Sequence, residues 1–201
     1  MIKKYLFLLL MFLGLFSFSQ NVAPVLSATG NQAYCPNTSI PIVTSMSITD
    51  PDDTGIDAMY IQISSGYVLG EDVLNLTGTN PTINSSWSPI EGKLTLTGIS
   101  SQPTYIELIN AIENVVFTSN NPNAIGQRTF SITVGQANYL ESTGHYYQYI
   151  PNIGITWQNA KIAAENATYY GLQGYLATIT MLDEVQISGV QATGAGWIGG
   201  S

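Results

Sequence analysis

Six short β-prone runs, separated by Gly, Pro, Asn, Asp and Ser, follow one another through the first two thirds of the chain with no long helical pattern between them. They are Ile40 to Ile48, Ala58 to Val68, Val73 to Gly78, Lys93 to Gly98, Val115 to Ser119 and Arg128 to Val134. A strand this short hides its apolar face only by pairing, and closely spaced strands without helical crossovers pair antiparallel. In Lys93-Leu-Thr-Leu-Thr-Gly98 the leucines 94 and 96 fall on one side while Thr95 and Thr97 fall on the other, as a half-buried strand requires. The spacing predicts a mainly β chain with an antiparallel β-sandwich over residues 20 to 137.

One segment breaks that pattern. Thr104 and Glu107 stand as a capping box, and Tyr105, Leu108, Ile109 and Ile112 follow at helical intervals. A short helix is expected from about 104 to 113, lying across an end of the sandwich and burying its apolar stripe without contributing chemistry.

The N-terminus reads as a secretory signal peptide over residues 1–19. Lys3 and Lys4 precede the apolar run Tyr5 to Phe16, and Ser17-Phe18-Ser19 supplies small residues for cleavage before Gln20. The run falls short of the roughly 20 apolar residues that a bilayer span needs. The mature chain is therefore expected to be secreted or at the cell surface, with no membrane span. Without the leader, Lys93, Arg128 and Lys161 face all thirteen acidic residues, a formal charge of 3 − 13 = −10. Such a surface repels phosphate backbones, which argues against nucleic acid as a partner. Cys35 is the single cysteine, so no intrachain disulfide can form and the fold must hold by burial. With no basic neighbour to stabilise a thiolate, Cys35 is expected as a small buried or strand-edge residue.

The order Ile48-Thr49-Asp50-Pro51-Asp52-Asp53, then Leu94-Thr95-Leu96-Thr97-Gly98, then a short helix, then Arg128 to Val134 resembles the cadherin-like repeats of bacterial surface proteins. The resemblance implies a calcium site at Asp50, Asp52 and Asp53, with Asp57 as a further candidate, because carboxylates on a tight turn can converge on one hard cation. The same residues read first as a solvated turn held by Asp side chains and by the fixed φ of Pro51.

After a polar linker at 138–144, a second unit covers 145–201. His145 heads a strand carrying Tyr146, Tyr147 and Tyr149; with no second His and no nucleophile beside it, it reads as a strand-end residue. Thr156 is an N-cap for a helix with Trp157, Ala160 and Ala164 on one face and the ion pair Lys161 and Glu165. Gly171 and Gly174 interrupt it, Tyr175 to Thr180 reads as extended, and a second helix begins at Thr180 with Asp183 three positions on. Trp157, Ala160 and Ala164, then Gly174 to Ile179, then Glu184, then Trp197-Ile198-Gly199-Gly200 resemble the first half of a C-type lectin-like domain. The resemblance implies a partial α+β lectin-like fold with an apolar core around Trp157, Leu176, Ile179 and Trp197. It places the calcium and sugar ligands of the family after Ser201, so no sugar-binding residue is expected within the chain, and it leaves the strand around Tyr146 to Ile150 as an open edge.

No Gly-x-Ser-x-Gly elbow and no His-Glu-x-x-His helix is present, and the adjacent acids Asp183 and Glu184 fall where the lectin-like helix has a structural residue. Catalysis is not expected. The best functional expectation is an extracellular adhesion or recognition protein whose partner is a glycan or surface polymer, through the lectin-like unit. A structural spacer or a surface for another protein is the alternative, and an accessory region of a larger secreted enzyme comes third. Four sequons, at Asn37, Asn75, Asn84 and Asn166, match chance in so Asn- and Thr-rich a chain.

Overall fold

Leu94 and Leu96 are 2% and 0% exposed, and the strand they lie on organises one sheet of the protein. The computed structural model describes residues 22–200; the leader expected over 1–19 lies outside the described residues. The N-terminal part comprises β1 (Val25–Thr29), β2 (Ser39–Pro41), β3 (Ser45–Thr49), β4 (Ala58–Ser65), β5 (Asp72–Leu76), β6 (Ile83–Ser88), β7 (Lys93–Gly98), β8 (Val115–Ser119) and β9 (Thr129–Thr133). A four-stranded sheet runs β6-β7-β4-β9, a three-stranded sheet runs β2-β8-β5, and β1 pairs with β3 in a ribbon. All of these pairings are antiparallel.

The two sheets share one apolar core. Met59, Ile61 and Ile63 of β4 and the two β7 leucines meet Leu74 of β5 with Val115 and Phe117 of β8. Phe117 also meets Phe130 of β9 with ring centroids 5.5 Å apart. Each such side chain contributes about 1.5–3 kcal/mol by leaving water. One end is covered by α1 (Tyr105–Glu113), which buries Tyr105, Leu108, Ala111 and Ile112. Its start is the expected capping box: the Glu107 N–H donates to Thr104 Oγ1 (3.3 Å), while Glu107 Oε2 accepts the Thr104 N–H (2.8 Å).

Three local expectations change. The run Ile40 to Ile48 is two strands in different sheets, because the chain crosses between them at the buried residues Ile42 and Val43, directly after Pro41, which has no N–H for a ladder. β6 gave no strong signal because it is a polar edge strand on which only Ile83 is buried. Cys35 is exposed rather than buried or at a strand edge. It lies in a turn whose geometry comes from the Cys35 carbonyl, which accepts both the N–H (3.1 Å) and the hydroxyl (2.6 Å) of Thr38.

Residues 138–144, expected as a polar linker, instead open with β10 (Asn138–Leu140), which pairs with β11 (His145–Tyr147). The expected strand through Ile150 thus stops at Tyr147 and has β10 as its partner. Next come α2 (Trp157–Asn166), capped by Thr156, and the hairpin β12 (Thr168–Tyr169) and β13 (Leu172–Gln173). Tyr175 to Thr180 forms no ladder; α3 (Leu182–Val185) starts one residue after the expected cap, from Met181, and continues into a π-turn over Gln186–Val190.

The apolar core expected around Trp157, Leu176, Ile179 and Trp197 is not formed. No residue of α2 is buried, and Trp197 is 53% exposed. The indoles instead tie two segments together by hydrogen bonds, Trp157 Nε1 to the Ile198 carbonyl (3.0 Å) and Trp197 Nε1 to the Ile155 carbonyl (2.7 Å). The buried cluster is Leu140, Tyr147 and Ile187, with Ala177 against it. This C-terminal part lies on the outer face of β4, which explains why Gln62 and Ser64 are as buried as the core residue Ile63 between them. No helix among the described residues is long and apolar enough to cross a membrane.

Candidate functional site

The structure brings Asp50, Asp52 and Asp53 together: one carboxylate oxygen from each lies within 4.8 Å of the others. Asp57 stands outside this group and accepts a hydrogen bond from Gln102 Nε2 (3.1 Å). Much of the acceptor capacity of Asp50 is already committed. Its Oδ1 accepts the N–H groups of Asp52 and Asp53, both at 3.1 Å, and its Oδ2 accepts the Tyr105 hydroxyl at 2.5 Å. The Tyr105 hydroxyl, helped by those N–H groups, holds the Asp50 carboxyl below its ordinary pKa. Asp52 in turn receives the Val22 N–H at 3.1 Å, which fastens the start of the described chain to the turn. Hard oxygens of this kind suit calcium, but three carboxylates are fewer than the six to eight oxygens that calcium takes.

A second arrangement is built from aromatic rings. Tyr139 and Tyr146 face each other across the β10–β11 ladder, with centroids 4.9 Å apart. Tyr146 lies 4.9 Å from Tyr169, and Tyr169 lies 4.9 Å from Tyr170 in an edge-on contact. Together they form one side of a groove of about 310 Å³ whose other side is apolar, with Leu26 from β1 and Ile132 from β9. Among the described residues, no charged side chain lines it. The volume is at the small end of the ~300–1,000 Å³ of ligand clefts. Burial raises the phenol pKa of Tyr146, Tyr169 and Tyr170, so near neutral pH these hydroxyls remain uncharged donors and acceptors.

Two backbone features admit these rings. Any Cβ at Gly135 would collide with the ring and hydroxyl of Tyr169, so only glycine lets that ring lie against the sandwich. The hairpin between β12 and β13 turns through Tyr170 and Gly171, both left-handed at φ 46° and 81°. Two-residue hairpins of this type favour Asn-Gly; a tyrosine at the first position is unusual.

A smaller hollow of about 180 Å³ lies where the two halves meet, among Ser64, Ser65, Ser142 and Asp183. Its polar atoms are largely paired with each other: Ser65 and Ser142 donate to the Asp183 carboxylate at 3.2 and 3.4 Å.

Sugar contacts are expected from the sequence only beyond Ser201, and the groove is not legible in it. The doublets Tyr146-Tyr147 and Tyr169-Tyr170 were the available signal. His145 is the exposed first residue of β11, as expected, with Nδ1 at 3.3 Å from the Tyr175 hydroxyl.

No protein-family model matches the chain, and no solved structure matches it. Among curated proteins, halomucin of Haloquadratum walsbyi (strain DSM 16790 / HBSQ001) is 34% identical over 167 residues, an alignment that covers 78% of this chain. The chain spans about 2% of the length of that relative.

Proposed function

We propose that this chain is an extracellular or cell-surface recognition module that binds carbohydrate in the tyrosine-lined groove. The observation that carries the proposal is the row Tyr139, Tyr146, Tyr169 and Tyr170 along a charge-free cleft. Pyranose rings present apolar C–H faces and a rim of hydroxyls. Aromatic rings offer matching apolar area, and uncharged phenols offer hydrogen bonds, at low entropic cost. The likeness to halomucin supports the surface location, as does the leader read at the N-terminus.

The cadherin-like and C-type lectin-like assignments are separate proposals that rest on the motifs quoted above, and the groove is not the ligand site that the lectin-like resemblance implies. No catalytic role is proposed. Calcium at Asp50, Asp52 and Asp53 is a separate proposal, supported by the proximity of three hard oxygens; equilibrium dialysis against millimolar calcium tests it, and no retained ion removes it.

The carbohydrate reading is tested by affinity electrophoresis of the full chain through gels carrying neutral polysaccharides. Retardation that Tyr146→Ala abolishes is the expected result; unchanged mobility in every gel sinks it. The spacer reading would then stand, favoured by the buried hydrogen bonds that hold the two halves together, Gln191 Nε2 to the carbonyls of Ile63 and Glu91.

A further inference from the structure

Tyr170 stands where the backbone calls for an asparagine or glycine, and is neither. At φ 46° it occupies a region that L side chains rarely adopt, and its neighbour Gly171 at 81° completes a turn that any Asn-Gly pair would satisfy with less strain. The ring is only partly covered by the fold. It is 47% exposed, its one ring contact is edge-on to Tyr169 at 4.9 Å, and its hydroxyl makes no hydrogen bond among the described residues. Tyr169, by contrast, is half-buried, packed against Gly135 and touched by Tyr146. Backbone strain of this kind gathers at ligand-contacting positions, and what Tyr170 presents is an aromatic surface at the rim of the groove.

We propose that Tyr170 is the specificity-determining ring of the groove, on which a neutral sugar chain stacks, and that the left-handed turn holds it there at the expense of stability. The inference rests on the carbohydrate reading above. Charge selects the ligand class: without the leader the chain carries a formal charge of 3 − 13 = −10, and among the described residues the groove has no cation to receive a carboxylate or sulfate, so acidic glycans are repelled and uncharged ones are not. Leu172, 55% exposed on the following strand, extends the apolar surface beside the ring.

The test uses the full chain with cellohexaose and mannohexaose as probes, measured by titration calorimetry alongside thermal unfolding. Wild type is expected to bind at least one probe. Tyr170→Asn is expected to weaken that binding about tenfold while raising the unfolding temperature, and Tyr170→Phe to bind within about twofold of wild type because the stacking face is kept. If wild type binds and Tyr170→Asn binds equally well, the role of Tyr170 is wrong while the carbohydrate reading survives. A lowered unfolding temperature for Tyr170→Asn would make the ring a packing residue and overturn the proposal. Wild-type binding to neither sugar overturns both.

Discussion

The hydroxyl of Tyr147 donates to Oε1 of Glu184 across 2.7 Å, and both side chains are buried. This bond, supported by the N–H groups of Thr180 and Met181 and the Thr180 hydroxyl on Oε2, holds the Glu184 carboxyl down at about 2. Burial, with Glu184 beside it, pushes the Tyr147 phenol up to about 12. The carboxylate thus anchors the start of α3 to β11.

A pH dependence follows from that anchor. Glu184 is depressed below its ordinary 4.5, so its contribution is fully present above that pH and is lost as pH falls towards 2. Tyr147→Phe should cost about 1.5–3 kcal/mol near neutral pH, the range for a hydrogen bond to a charged group. Urea midpoints should show that gap narrowing below pH 4.5 as the carboxylate protonates. On the alkaline side the raised phenol contributes fully below pH 10 and loses its effect as pH rises through about 12, so the gap between wild type and variant should narrow there as well. A gap constant from pH 7 to pH 2 would show that the carboxylate is not involved.

Gln191 is 1% exposed and joins the C-terminal part to the sandwich, its Nε2 at 2.6 Å from the Glu91 carbonyl and 3.0 Å from that of Ile63. Gly92 makes room for it: the backbone there is left-handed at φ 60°, and a Cβ would stand 2.8 Å from that Nε2. Gln191→Ala should destabilise by about 1–3 kcal/mol by leaving buried acceptors short of a donor. Limited proteolysis should then cut the variant between 141 and 191 faster than wild type, with the sandwich cut no faster. Equal rates of cutting would show that the two halves do not depend on this contact.

Arg128 and Asp72 form a buried ion pair at the edge of the core, Nε to Oδ2 at 2.7 Å, with side chains 5% and 0% exposed. Asp72 Oδ2 also accepts the Val68 N–H at 2.9 Å, and Arg128 Nη1 donates to the Ile125 carbonyl at 2.9 Å. Asp72→Ala strands a buried guanidinium and should cost about 3–5 kcal/mol, whereas replacing both residues by apolar ones of similar volume should cost far less. Chemical denaturation of the single and double variants checks this; equal losses would mean that packing, not the unpaired charge, dominates.

Thr104 caps α1 through its own oxygen and receives Glu107 in return. Thr104→Ala should lower stability by about 0.5–2 kcal/mol. Because Tyr105, Leu108 and Ile112 hold the helix from below, circular dichroism should show its helical signal retained at 25 °C. Loss of that signal in the folded variant would mean that the cap, not the buried stripe, sustains the helix.

What could be read from sequence was what depends on near neighbours along the chain. The alternation in β7, the capping box of α1 and the Thr156 cap of α2 need only residues two to four positions apart, and each stands as expected. The calcium candidates were legible in the same way, since Asp50, Asp52 and Asp53 share one turn. β10 was hidden inside a polar stretch because its reason to be a strand is Leu140, buried by Ile187 from far along the chain. The core expected around Trp157 and Trp197 failed for the converse reason: aromatic residues bury only where another surface covers them, and here both indole N–H groups bond to backbone while Trp157 is only partly buried and Trp197 is 53% exposed.

By itself the sequence determined an antiparallel, mainly β chain with capped short helices and an acidic turn, because strand alternation and helix caps are local physics. The tertiary structure alone decided which tyrosines meet and how the halves join. Tyr139, Tyr146, Tyr169 and Tyr170 come together only once β10–β11 and the β12–β13 hairpin lie against β1 and β9. Gln191 finds Ile63 across 128 positions of sequence. Contacts of that range are selected by burial and by the need to pair every buried polar group, and no short window of residues displays either.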